Sequence, residues 1–341
     1  MNRVVCLAVV FLIITACLLP LDTEDSGAAS NAAGNMAGGQ PVTLILQWMP
    51  QAQFAGYYVA LDKGIYQDYG LDVSIIRGGP DRDSVEYLNQ GKADFAIMFL
   101  SGALTARDRG MPLVHVGQIV NQSNLMLVGW KDKGIIDPAS LNGRKVSLWG
   151  GVFQADFQSF FAANHIQPQE IPQYYSVNLF LARGVDVCSA MYYNEYHTIY
   201  QAGVDEHELS TFLMKEFDCG FPEDGIYCLE QTLAARPEAS QAFLAASLAG
   251  WQYAATHQEE ALDIVMKYVR EANLPTNREH MRWMLAKILP TIIPGEQSSW
   301  ELGKLSRQDY QRTAQILRQY KLIVDAPSYE NFCGEGITHV Q

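Results

Sequence analysis

Several kinds of chemistry have no signature in this 341-residue chain. None of its seven histidines falls in HExxH or another metal-ligating spacing, no two cysteines form a CxxC pair, and no G-x-S-x-G nucleophile elbow occurs. A surplus of cations is also missing. The formal net charge of -13 argues against nucleic acid as a partner and otherwise favours solubility. There is no tandem repeat of fixed period. The apolar run at residues 4–16 is too short to span a bilayer as a mature helix; following Arg3, it has the length of a signal-peptide core and reads as an export signal.

Residues 14–17, ITAC, resemble a bacterial lipobox, which implies cleavage before Cys17 and lipid on its thiol. An ordinary signal cut later, near the Ala-rich stretch, is the open alternative. Residues 18–40 are mostly Gly, Ala, Ser and Asn with a few acids, a composition that cannot bury enough surface to fold, so they read as a disordered tether. About 300 residues of ordinary apolar content remain, enough for one large or two medium domains. Of the cysteines in that part, Cys219 and Cys228 have the spacing to bridge a short loop in an oxidising compartment, but spacing alone does not set connectivity.

Residues 44–60, LILQWMPQAQFAGYYVA, organise the rest. A short apolar run reads as a buried strand, Pro50 cannot continue a central strand, and the next dozen residues carry apolar groups at helical spacing. Such a corner leaves backbone amides and nearby side chains at the carboxyl end of the strand, where open α/β sheets hold ligands. The side chains are Gln47, Trp48, Gln51, Gln53 and Phe54. Amides and rings without a cation or a glycine-rich cradle suit a flat hydrogen-bonding molecule better than a phosphate or a metal ion. For any one of them the competing reading is core packing for the rings and solvation for the amides.

Strand and helix then alternate. Residues 71–76 read as a strand, Asp81 as the N-cap of a helix over 83–90, and 94–99 as a third strand, the pattern of a parallel sheet. Ser101 begins another strand-to-helix junction, as a cap or as a ligand contact. Residues 113–120 and 125–128 read as strands joined by a polar link containing Asn121. A second α/β unit follows, with Trp149 and a Gly-Gly turn, Tyr174 in a strand, a helix at 177–183, a strand at 185–191 and a helix at 192–201. The lone strand at 225–229 needs a sheet, and its simplest home lies beside the first unit. Lobe 1 is then 41–128 and 220–341, and lobe 2 is 129–219. Two lobes joined by two crossings make a hinge with a cleft between them.

The runs QWMPQAQFAGYYVALDKGIYQDYGLDVSIIRGGPD (47–81), GKADF (91–95), LNGRKVSLWG (141–150) and MYYNEY (191–196) resemble periplasmic binding proteins of ABC importers related to the eukaryotic thiamine-pyrimidine synthases. The resemblance spans residues 42–288. It implies an α/β, two-lobed type II periplasmic binding protein fold with two interlobe crossings, lipid-anchored in the periplasm or at the cell surface. It also implies a small planar heterocycle as ligand, a thiamine pyrimidine precursor first and riboflavin, sulfonate or nitrate as alternatives, handed to an ABC permease and its ATPase. Trp48 matches the family's aromatic after strand one, and Glu195 the acid of its lobe-two aromatic motif. Gln47 stands where pyrimidine-binding relatives commonly have Asp, and Gln53-Phe54 where they have Asn-His. The candidate ligand-binding set is Gln47, Trp48, Gln53, Phe54, Ser101, Asn121, Tyr192, Tyr193 and Glu195. No catalytic residue, cofactor or metal is expected. A pyridoxal-dependent synthase needs a lysine at the corner and a positioned histidine, and residues 47–61 contain neither.

Overall fold

The computed structural model describes residues 39–296 and 298–334. The expected export signal with Cys17, and the tether through residue 38, lie outside the described residues. In chain order the strands are β1 (Gln40–Ile45), β2 (Leu71–Ile76), β3 (Phe95–Phe99), β4 (Leu113–Gln118), β5 (Leu125–Trp130), β6 (Lys145–Leu148), β7 (Gln169–Pro172), β8 (Val187–Met191), β9 (Leu209–Leu213) and β10 (Asp224–Leu229). They form two five-stranded sheets, ordered β2-β1-β3-β10-β4 and β7-β6-β8-β5-β9. β1 runs parallel to β2 and β3, and β6 parallel to β7 and β8. The strands β4, β5, β8 and β10 are buried along their whole length, in keeping with the predominance of apolar residues in their sequences.

β10 enters the first sheet, antiparallel between β3 and β4, although it follows the whole second sheet in the chain. The lone strand at 225–229 therefore lies where the sequence placed it, and the chain crosses twice. The first crossing, however, comes earlier than expected. Residues 125–128, assigned to lobe 1, belong to β5, which pairs with β8 and β9 in the second sheet. Two apolar runs joined by four polar residues look like a hairpin, but residues 121–124 are the crossover itself.

Three local expectations also change. Asp83, not Asp81, caps the helix Ser84–Asn89, its Oδ1 accepting the Glu86 N–H at 2.8 Å, while Asp81 is engaged by Arg77. Tyr174 is not in a strand: β7 stops at Pro172, and Gln173 is drawn toward β6 and β8 by bonds from Ser147 Oγ (2.8 Å) and to the Ser189 carbonyl (2.7 Å). No bridge joins Cys219 and Cys228. Both thiols are free and buried, one on the returning crossing and the other inside β10.

The helix after the corner, Ala55–Asp62, is held by a close crossing with the helix Pro237–Thr256. A Cβ on Gly250 would stand 2.2 Å from the Gly56 carbonyl oxygen, so only glycine permits that approach. Lys63 and Gly64 end the helix as expected, Gly64 taking the left-handed conformation with φ of 73°.

Candidate functional site

A cavity of about 570 Å³ opens between the two sheets. Lobe one contributes residues that follow β1, β2 and β3, and lobe two those that follow β6, β7 and β8, so both sheets present the carboxyl ends of their parallel strands. Its walls are aromatic on both sides: Trp48 and Phe99 from one lobe, Trp149, Phe153, Tyr174, Tyr175 and Tyr193 from the other. The lobes touch at its edges. The rings of Trp48 and Tyr175 lie 5.2 Å apart, Phe99 meets Phe153 edge-on at 5.2 Å, and Ser101 Oγ donates to the Val152 carbonyl at 2.9 Å.

Five of the nine residues expected from the sequence line this cavity: Gln47, Trp48, Gln53, Tyr193 and Glu195. Four do not. Phe54 is wholly buried and packs into the hydrophobic core, as its competing reading had it. Ser101 spends its hydroxyl on the interlobe bond to Val152. Asn121 sits on the first crossing, its N–H donating to the Thr291 carbonyl at 2.8 Å and its amide turned toward Ile119. Tyr192 leaves β8 on the opposite side from Tyr193 and packs edge-on against Trp283, 6.1 Å between centroids, its carbonyl accepting from the Trp283 indole at 3.1 Å.

The residues missed are mostly in lobe two. Trp149 and Phe153 flank a Gly-Gly turn at a strand-to-helix corner of the same kind as the one at residues 44–60, a signal that was present. Tyr174 and Tyr175 gave none, because their exposure, 79% and 65%, depends on where β7 stops. The Trp149 indole donates to the Tyr174 carbonyl at 2.9 Å and so fixes that loop against the cavity wall.

Two acidic groups govern the polarity of the site. Glu195 begins the helix Glu195–Gln201; its carboxyl accepts from the Met191 N–H and from the Asn194 side-chain amide, each at 2.9 Å. Burial pushes its pKa up to about 7 despite those bonds. Behind the glutamines, Asp224 is 1% exposed. It accepts from the amides of both Gln47 and Gln53, the latter at 2.9 Å, while Gln51 donates to Gln53 Oε1 at 2.5 Å. Burial, then the neighbouring Glu223 carboxyl, raises the Asp224 pKa well above the usual carboxylate range. Among the described lining residues the one cation is Arg82, which lies 3.8 Å from Asp81.

A family model described as NMT1/THI5 like matches residues 51–261. The chain is similar to the riboflavin-binding protein RibY of Chloroflexus aurantiacus, 26% identical over 328 residues, covering 92% of this chain and 91% of that protein. It is also similar to a formylaminopyrimidine-binding protein of Halalkalibacterium halodurans, 24% identical over 259 residues, covering 73% of this chain and 77% of that one. Among solved structures, the periplasmic aliphatic sulphonate binding protein SsuA of Escherichia coli superposes with a TM-score of 0.65 at 14% identity, covering 88% of this chain and 99% of that chain. At that identity the likeness establishes the fold, the two-lobed α/β fold of periplasmic binding proteins.

Proposed function

The chain belongs to the NMT1/THI5-like family, and from that premise we propose that it is a solute-binding protein of an ABC importer, which captures a planar nitrogen heterocycle between its lobes and presents it to a membrane permease and its ATPase. The observation that carries this reading is the cavity of about 570 Å³ with aromatic faces on both lobes. Such faces stack on flat rings, and a space in this range encloses a drug-sized molecule rather than a single small ring. Riboflavin, named for one relative, is therefore the first candidate. A formylaminopyrimidine, of the thiamine-precursor class first expected from the sequence, is the second.

Sulfonate and nitrate suit the cavity less well. One cation near an acid, facing a wall that includes Asp83 and Glu195, gives an anion little to pair with. The residues also do not fit a pyridoxal cofactor: no lysine stands among the described lining residues to form its Schiff base, and Arg82 is the sole candidate for its phosphate. Binding rather than synthesis is the reading adopted. The export signal at 1–17 supports a site of action outside the cytoplasm, with lipid on Cys17 as the anchor.

The test is a thermal-shift panel of riboflavin, a formylated aminopyrimidine, an alkanesulfonate and nitrate. A ligand at about one hundred times its Kd stabilises the folded state by about 2.7 kcal/mol. Riboflavin is expected to give the largest shift, and Trp48→Ala or Glu195→Ala to abolish it while the unliganded melting temperature stays near that of the parent. A shift from sulfonate or nitrate alone, or shifts unchanged in both variants, would reject the assignment.

A further inference from the structure

We propose that Asp224 is a positioning residue that sets the hydrogen-bond polarity of the cavity, turning the lobe-one amides so that the site selects ligands carrying N–H donors. This rests on the reading of the cavity as a heterocycle site. Asp224 lies on β10, out of the cavity lining, with Gln47 and Gln53 between it and the open space.

An ionised carboxyl only accepts, whereas a protonated one has a single O–H to give; the amides of Gln47 and Gln53 both present their NH2 to Asp224, which is the arrangement of the ionised form. Gln47 donates to Asp224 Oδ1, and Gln53 to Oδ2 at 2.9 Å. Gln53 Oε1 is then taken by Gln51 at 2.5 Å. Gln47 differs: its NH2 is committed, and no donor among the described residues reaches its Oε1. That carbonyl oxygen is the acceptor that Gln47 offers a guest at the corner.

The opposite pole has the same sign. Asn194 donates its amide to Glu195 Oε1 at 2.9 Å, so its Oδ1 accepts from His280 Nε2–H at 2.9 Å. Neutral His280 then accepts at Nδ1 from His197 Nδ1–H, also at 2.9 Å. The Asn194 amide is thereby locked with its donor side on Glu195, which lines the cavity. An acceptor at each end favours a guest that places an N–H donor against one of them. An exocyclic amino group or a ring imide meets that requirement; a ring with alkylated nitrogens does not.

Asp224→Asn tests this with little change of shape. Asparagine offers one oxygen and one NH2, so one glutamine must turn round. Gln53 would forfeit its bond from Gln51, so Gln47 is the one that turns and presents an NH2 to the cavity. Riboflavin and 3-methylriboflavin, which differ at one ring N–H, are titrated into the parent protein, Asp224→Asn, Gln47→Leu and the double variant, together with a 4-aminopyrimidine and its dimethylamino counterpart. The parent should prefer the N–H member of a pair by about tenfold or more, as expected when a buried acceptor is left unpaired. The preference should fall to within about threefold in either single variant, and the double variant should lose nothing further.

A merely structural role for Asp224 would weaken both members of a pair equally and leave the ratio intact, as would steric rejection of the methyl group. A preserved ratio in Asp224→Asn or in Gln47→Leu therefore overturns the proposal, as does equal binding of both members to the parent. Should Asp224→Asn fail to fold, Gln47→Leu decides alone. If no member of either pair binds the parent, the heterocycle reading itself fails and this inference falls with it.

Discussion

Glu223 stands on the returning crossing, its carboxyl held by the backbone N–H of Asn124 at 2.5 Å and by the Asn124 amide at 3.1 Å. No ion pair reaches it among the described residues, and it is 5% exposed. Burial therefore pushes its pKa up from 4.5 to about 7, the bonds from Asn124 only partly opposing the rise. A carboxyl whose pKa is higher folded than unfolded binds more protons in the native state between those two values, so its ionisation costs nothing below pH 4.5 and a growing amount as pH climbs to 7. The full cost is on the order of 3 kcal/mol. Glu195 contributes with the same sign. His115 and His280, whose pKa values burial lowers to about 4, contribute with the opposite one, losing stability as pH falls from 6.5 toward 4. Glu223→Gln removes one group from that sum and with it part of the rise in the pKa of its neighbours Asp224 and Asp156, both of which act in the same direction. The drop in melting temperature from pH 5 to pH 8 should be several degrees smaller in the variant, read by differential scanning fluorimetry; equal drops would mean that the Glu223 carboxyl is not held against ionisation.

At the scale of elements, two glycines separate what holds the corner from what holds its helix. A Cβ on Gly78 would lie 2.1 Å from the Leu46 carbonyl oxygen and 2.5 Å from the Gln47 carbonyl carbon, so Gly78→Ala must push aside the segment that carries Gln47 and Trp48. A Cβ on Gly250 collides instead with the helix Ala55–Asp62 from behind. Each substitution should cost roughly 1–3 kcal/mol or more as overpacking. Gly78→Ala should in addition weaken riboflavin binding by about tenfold or more, and Gly250→Ala should leave binding near that of the parent once the sample is folded. Chemical denaturation and calorimetric titration read the two quantities separately, and equal binding losses would show that the corner is not locally sensitive. The same contrast bears on what was legible in the sequence. The corner at 44–60 announced itself because proline, apolar periodicity and amides act within a few residues of one another, and of the MYYNEY residues expected at the site, Tyr193 and Glu195 line the cavity. Which of Tyr192 and Tyr193 faces the cavity depends on the register of β8, and Phe54 turned inward at the end of the turn Ala52–Phe54, which is covered by the much later helix Arg278–Ile292. Asp224 acts on Gln47 across 177 positions, a pairing that no local pattern encodes.

For the whole molecule the decisive feature is that the chain crosses between sheets twice and that the two crossings are bonded to each other. The Glu223 N–H donates to the Val120 carbonyl at 3.0 Å, the Val120 N–H donates to the Asp224 carbonyl at 2.9 Å, and Asn124 clamps the Glu223 carboxyl. Were one lobe to rotate against the other, these paired segments would have to bend, so their stiffness is expected to set the balance between open and closed forms. Asn124 itself is outside the cavity lining, which allows that balance to be changed without touching the ligand. Asn124→Ala removes the side-chain half of the clamp; the backbone N–H bond remains. Apparent affinity scales with the fraction of molecules competent to bind, so a hinge loosened toward the open form should bind riboflavin roughly threefold to tenfold more weakly. Because the walls are unchanged, the preference for riboflavin over 3-methylriboflavin should stay at the parental value, in contrast to its collapse in Asp224→Asn. Small-angle scattering of the unliganded variant should show a larger radius of gyration than the parent, and saturating ligand should bring the two together. A weakened affinity without that expansion, or a changed preference, would mean that Asn124 acts on the cavity itself and not through the hinge.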